Sequence, residues 1–133
     1  MFYKEFEVNG KTKRLKYDFN AIADIEELSG MGIPKMFSAG MLGLNTLRLL
    51  MWGGLKHDDP GITTQRAGMI VGDMMEEGHD FDSVFMLALE AMTKCGVFPE
   101  GTFDGVVAMI EDGKVENPTM PEKSGQSPKK SKN

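Results

Sequence analysis

Over the first seventeen residues, large apolar side chains alternate with charged ones. Phe2, Phe6, Val8, Leu15 and Tyr17 fall on one side of an extended chain, and Glu5, Glu7, Thr12, Arg14 and Lys16 on the other. Asn9-Gly10 lies between the two runs. Asn-Gly suits a type I′ turn, which needs positive φ at both central positions. The pattern therefore predicts a hairpin in which Val8 faces Lys11, Phe6 faces Lys13 and Glu5 faces Arg14, the last an oppositely charged cross-strand pair. A lone two-stranded hairpin is marginal in water, so its apolar face must rest on the helices that follow.

From Asp18 the spacing of apolar residues lengthens to that of helices. Phe19, Ile22, Ile25 and Leu28 recur on one side of the first helix and Asn20, Asp24 and Glu27 on the other, with Asp18 as N-cap and Gly30 as the stop. Pro34 suits the first position of a short helix through about Ala39. Asn45 is the expected cap of a second major helix, Thr46 to about Lys56. That segment is apolar nearly all round, with Arg48 the main exception, so it is buried on most sides or sits in an interface. Gly53 and Gly54 each cost such a helix about 1 kcal/mol relative to alanine. They point to close backbone approach or to fraying near its end.

Asp58-Asp59-Pro60-Gly61 reads as a turn. Thr63 or Thr64 then caps a helix through about Glu77, whose stripe is Ala67, Ile70, Val71, Met74 and Met75, with Met69 off it. Asp80 caps a helix through about Cys95 with the stripe Phe81, Val84, Phe85, Ala88, Met92 and Cys95. Met86 falls on the Glu90 side, away from that stripe. Phe103, Val106, Val107 and Ile110 mark a short final helix. From Lys114 onward the periodicity stops, and Pro118, Pro121 and Pro128 are scattered among polar residues. The expected fold is α+β, mainly α: an N-terminal β-hairpin packed on a small bundle of about four to five helices. One domain, 1–113, contains the hairpin, 1–17, and leads into a disordered tail, 114–133.

Composition narrows the function. The net charge is −5, so a phosphate backbone is a poor partner for the folded part. Three lysines in the last five residues make the tail locally basic, most simply a solubilising end. No run reaches the roughly 20 apolar residues of a membrane helix, and the charged N-terminus is no secretory signal. One cysteine, Cys95, forms no internal disulfide, which fits a cytoplasmic protein. Its place on an apolar stripe makes it a buried, inert thiol. His57 and His79 are isolated among turn aspartates, so neither a metal site nor a cofactor is expected. No catalytic residue set or phosphate-binding glycine motif stands out.

Twelve methionines stand out instead. Met fills core gaps and also populates adaptable binding surfaces. Off-stripe Met69 and Met86, with Arg48, Trp52 and Leu55 of the apolar helix, are the candidate protein-contact residues. Self-association through helical surfaces is expected on the same ground. Trp52 itself is either a core side chain or an interface anchor.

Taken together in order, YDFNAIADIEELSGMGIPKMF and LRLLMWGGLKHDDPGITTQRAGMIVGDMM resemble the tail assembly chaperones of long-tailed phages, prophages and gene transfer agents. The matching positions are Phe19, Asn20, Ala21, Ile22, Glu26, Glu27 and Gly30, then Leu47, Arg48, Trp52, Gly54 and Leu55, then Asp59, Pro60 and Thr63. The resemblance spans about residues 2 to 95. It implies a non-catalytic protein of the host bacterial cytoplasm, absent from the mature virion. Such a protein coats the tape measure protein and recruits tail tube subunits. It also implies that the C-terminus leads, in some members, into a frameshifted extension. The alternative is a neck or tail-completion component that stays in the virion.

Overall fold

The computed structural model describes residues 1–113. The tail expected to be disordered, 114–133, lies outside the described residues. The elements are β1 (Lys4–Val8), β2 (Lys11–Leu15), α1 (Phe19–Ser29), α2 (Ile33–Ser38), α3 (Leu44–Leu55), α4 (Thr64–Glu76), α5 (Phe81–Thr93) and α6 (Asp104–Glu111). An antiparallel hairpin thus sits on a small bundle, four longer helices flanked by the short α2 and α6, as the apolar spacing predicts.

The hairpin has the expected register, with Glu5 opposite Arg14, Phe6 opposite Lys13 and Val8 opposite Lys11. Its tip carries positive φ at both Asn9 (55°) and Gly10 (74°). The tip is also tied to α4: the Asn9 backbone N–H donates to Glu77 and its side-chain amide to Asp73, both at 2.8 Å. Phe6, Val8, Leu15 and Tyr17 are buried, because β1 lies against α4 and α5, and β2 against α3. The expected Glu5–Arg14 pair is not the one that forms. Arg14 reaches across to Asp58 at 3.0 Å, and Lys16 joins it at 3.6 Å. Burial pushes the Asp58 carboxyl up, but hydrogen bonds from Arg14 and His57 and the charges of Arg14 and Lys16 outweigh it. The carboxyl is held below its usual range.

α3 is the centre of the molecule. Leu47, Leu49, Leu50, Met51, Gly53, Gly54 and Leu55 are all buried. Gly53 and Gly54 mark close approach and not fraying. A Cβ on Gly53 would lie 2.3 Å from Ile25 Cδ1, and one on Gly54 would lie 2.7 Å from the Tyr17 ring. The Gly54 carbonyl accepts from Lys16 N–H at 2.9 Å, which joins the chain leaving β2 to this helix. Phenylalanines close the other side: Phe37 of α2 packs on Phe85 of α5 and on Phe103 before α6, with centroids 6.0 and 5.6 Å apart.

Four expectations change. On α1 the buried residues are Ala21, Ile22 and Ile25, whereas Phe19 and Leu28 are 73% and 58% exposed. Each i+3 step drifts about 60° around a helix with 3.6 residues per turn, so three steps carry Phe19 to the face opposite Leu28. Leu28 lies on the inward side but borders an open pocket with Asn45 and Arg48 of α3, which leaves it exposed. The N-cap of α3 is Gly43, not Asn45, and it makes no side-chain cap bond. Asn45 already lies in the first turn and accepts from Arg48 Nη2 at 2.9 Å. Cys95 is half-buried, and its Sγ accepts from Val97 N–H at 3.4 Å.

Tyr17 yields a pH prediction. It is fully buried, and its hydroxyl donates to the Leu50 carbonyl at 2.6 Å. Burial, then the nearby Cys95, pushes the hydroxyl's pKa up. The unfolded chain releases this proton near pH 10. The raised folded value means the stability is full below pH 10 and is lost as the pH climbs above it. Denaturant midpoints measured from pH 9 to 12 fall for the native chain. Tyr17→Phe costs about 1 kcal/mol at pH 7 and has a shallower alkaline slope. An equal slope in both would show that Tyr17 is not the titrating group.

Candidate docking groove between helices α3 and α4

The five residues expected to make protein contacts do not form one site. Leu55 is 4% exposed and belongs to the core. Met86 is half-buried and packed on the core. Helix α5 is covered by α3, α6 and β1, which also buries Leu89 and Ala91 outside the narrow stripe. Met69 is 59% exposed on α4, as expected. Trp52 is half-buried, with its indole N–H donating to the Ile62 carbonyl at 3.0 Å and the Lys56 ammonium 4.6 Å from its ring centroid. Arg48 is exposed and lines two adjacent concavities.

The first is an open apolar groove of about 440 Å³. Leu44, Leu47 and Arg48 of α3, at i, i+3 and i+4, form one wall with Asn45. Gly68, Val71, Gly72 and Met75 of α4, at i, i+3, i+4 and i+7, form the other. The missing side chain at Gly68 makes room for Arg48, since a Cβ there would stand 3.1 Å from Arg48 Cδ. Gly72 would meet nothing within 4 Å and so keeps the groove open.

The second is a pocket of about 280 Å³ behind the Asn45–Arg48 pair. Leu28, Ser29, Met36, Met41 and Leu49 line it, with Asn45, Thr46 and Arg48 of α3 and Thr64 of α4. Thr46 is 4% exposed, and its hydroxyl has no hydrogen-bond partner among the described residues. A buried hydroxyl without a partner costs about 1–3 kcal/mol. Among the described residues no carboxylate or second cation lines either concavity, so Arg48 is the one charged lining residue there.

Most of the groove was invisible to helical-stripe reasoning, which assigns Val71 and Met75 wholly to the core. The local signal that marks it is Gly68 and Gly72, one turn apart in an otherwise well-formed helix. Gly72→Ala tests this economically. Its Cβ meets open space, so alanine raises the unfolding free energy by about 0.5–1 kcal/mol through helix propensity alone. Urea midpoints check it, and a loss of stability would mean that Gly72 is needed for packing.

Among the described residues no group of three or more His, Cys, Asp or Glu is placed to hold a metal ion, and no helix is long and apolar enough to cross a membrane. Compared with protein-family models, curated proteins and solved structures, the chain matches none of them.

Proposed function

We propose that this protein is a phage tail assembly chaperone, which binds the tape measure protein and recruits tail tube subunits during tail morphogenesis without catalysing a reaction. The observation that carries this reading is the open α3/α4 groove: apolar on both walls, bordered by exposed Leu44 and, among the described residues, carrying a single charge at Arg48. A chaperone that keeps another protein soluble needs such a surface, concave and apolar enough to hold a segment that would otherwise aggregate. The surrounding acidic charge keeps the complex in solution and repels nucleic acid. In this reading the protein works in the host bacterial cytoplasm, associates with copies of itself through helical surfaces, and leaves before the virion is complete.

Co-expression with the tape measure protein of the same phage or prophage is the test. Tape measure protein that is insoluble alone becomes soluble and co-purifies with this chain, and mass spectrometry of finished particles finds none of it. Tape measure protein that stays insoluble and unbound would refute the reading. Abundant chain in finished particles would replace it with a neck or tail-completion role.

A further inference from the structure

We propose that the groove and the pocket beside it form one composite site for an apolar helical segment that carries a carboxylate. The segment's apolar side chains fill the α3/α4 groove, and one Asp or Glu side chain reaches past Asn45 to Arg48 and the Thr46 hydroxyl. The proposal rests on the chaperone reading only for the partner being a protein chain.

Three observations converge on the carboxylate. Among the described residues Arg48 is the only charged one on the walls of either concavity, and its one hydrogen-bond partner there is the neutral Asn45 side chain. No described carboxylate lies within ion-pair distance of it. Thr46, 4% exposed, borders the same pocket, and its hydroxyl, without a partner among the described residues, has a proton to donate. A guanidinium and a free hydroxyl at one small pocket match an acceptor-only anion, and the pairing satisfies both.

The rest of the occupant follows from shape and charge. Leu44, Val71 and Met75 call for apolar side chains, and the bare backbone at Gly72 admits a helix at close range. The acidic body opposes an anionic membrane surface, which is bound by clusters of basic residues and not by one. A second copy set groove to groove about a two-fold axis would bring Arg48 towards Arg48, two like charges.

The test uses the full chain and a fluorescent synthetic helical peptide of about twenty residues, long enough to hold a helix. The peptide has leucine at i, i+3, i+4 and i+7 and one glutamate beside that stripe. Sister peptides carry glutamine or lysine in its place. Anisotropy titrations give the glutamate peptide about tenfold tighter binding than the glutamine peptide, the size of a charge-assisted hydrogen bond, and the lysine peptide the weakest. Arg48→Gln and Thr46→Val each bring the glutamate and glutamine peptides to within about twofold of each other, as a double-mutant cycle requires. Thr46→Val removes a buried hydroxyl that has no partner, so it leaves the fold intact. Gly72→Leu fills the groove from a position open to solvent and abolishes binding of every peptide at an unchanged circular dichroism spectrum. Equal binding of the three peptides, or binding indifferent to Gly72→Leu, overturns the proposal. So does a dimer mass by light scattering that Gly72→Leu converts to a monomer, because the groove would then belong to a second copy. The probe is not the tape measure protein. Failed solubilisation with peptide discrimination intact therefore removes the chaperone reading alone, and the reverse result removes only this site.

Discussion

Gly54→Ala lowers the unfolding free energy by about 3 kcal/mol or more, the upper end of what overpacking a core costs. The added methyl group would sit 2.7 Å from Tyr17 Cζ, 2.8 Å from its hydroxyl and 2.9 Å from Leu15 Cδ2. None of these atoms can step aside cheaply. The Tyr17 ring is fully buried and held by its bond to the Leu50 carbonyl on the same helix. Leu15 is fully buried at the end of β2, and the Gly54 carbonyl itself receives Lys16 N–H. The strain therefore falls on the seam between hairpin and bundle. Helix propensity alone predicts the opposite sign, since alanine favours a helix over glycine by about 1 kcal/mol. The experiment thus sets packing against propensity, and a urea midpoint equal to or above that of the native chain would show that propensity outweighs packing at this contact. Gly72→Ala is the matched control on α4, where propensity acts without a clash.

Trp52→Ala costs about 2–3 kcal/mol, below the roughly 3–5 kcal/mol of a fully buried aromatic because part of the ring faces solvent. The loss has two sources. The indole covers apolar surface on α3, and its N–H fastens the loop before α4 by bonding to Ile62, which is itself buried at 7% exposure. Lys56 lies over the ring and also pairs with Asp24 of α1, so the same side chain helps to hold α1, α3 and the α4 approach together. Trp52→Phe keeps most of the ring and loses the hydrogen bond, for about 1 kcal/mol. Neither the groove nor the pocket includes Trp52 in its lining. The effect therefore belongs to folding, and the residual folded protein still discriminates the peptides. An unchanged midpoint with partner binding lost would assign Trp52 to an interface.

Stripes and caps tell different amounts about this chain. Asp18 and Asp80 are read correctly as N-caps, and Thr63 is the one of the two candidate threonines that caps α4, because a cap is a bond to a backbone N–H three residues away, here those of Ala21, Arg66 and Ser83. Asn45 looks the same in sequence but lies two residues too late, after Gly43 has already started the helix. The α1 stripe fails at Phe19 because a row of i+3 steps winds off the buried face, while Ala21 and Ile25, one i+4 step apart, stay on it.

What the sequence determined by itself is therefore local. The Asn9-Gly10 turn, the hairpin register, the order of helices and the three side-chain caps depend on residues a few positions apart, whose geometry one short segment sets. What only the tertiary structure decided is which exposed residues share a concavity. Leu44 and Met75 face each other across a groove because α3 and α4 pack side by side. Thr46 lost its water because α1, α2 and α4 close around the start of α3. Arg14 left its strand partner for Asp58 because the loop after α3 returns to the hairpin. Leu55 is buried and Met86 half-buried because their helices are covered on more sides than one stripe records. Each of these outcomes depends on the relative placement of segments distant in sequence, and no periodicity within a single segment encodes that placement.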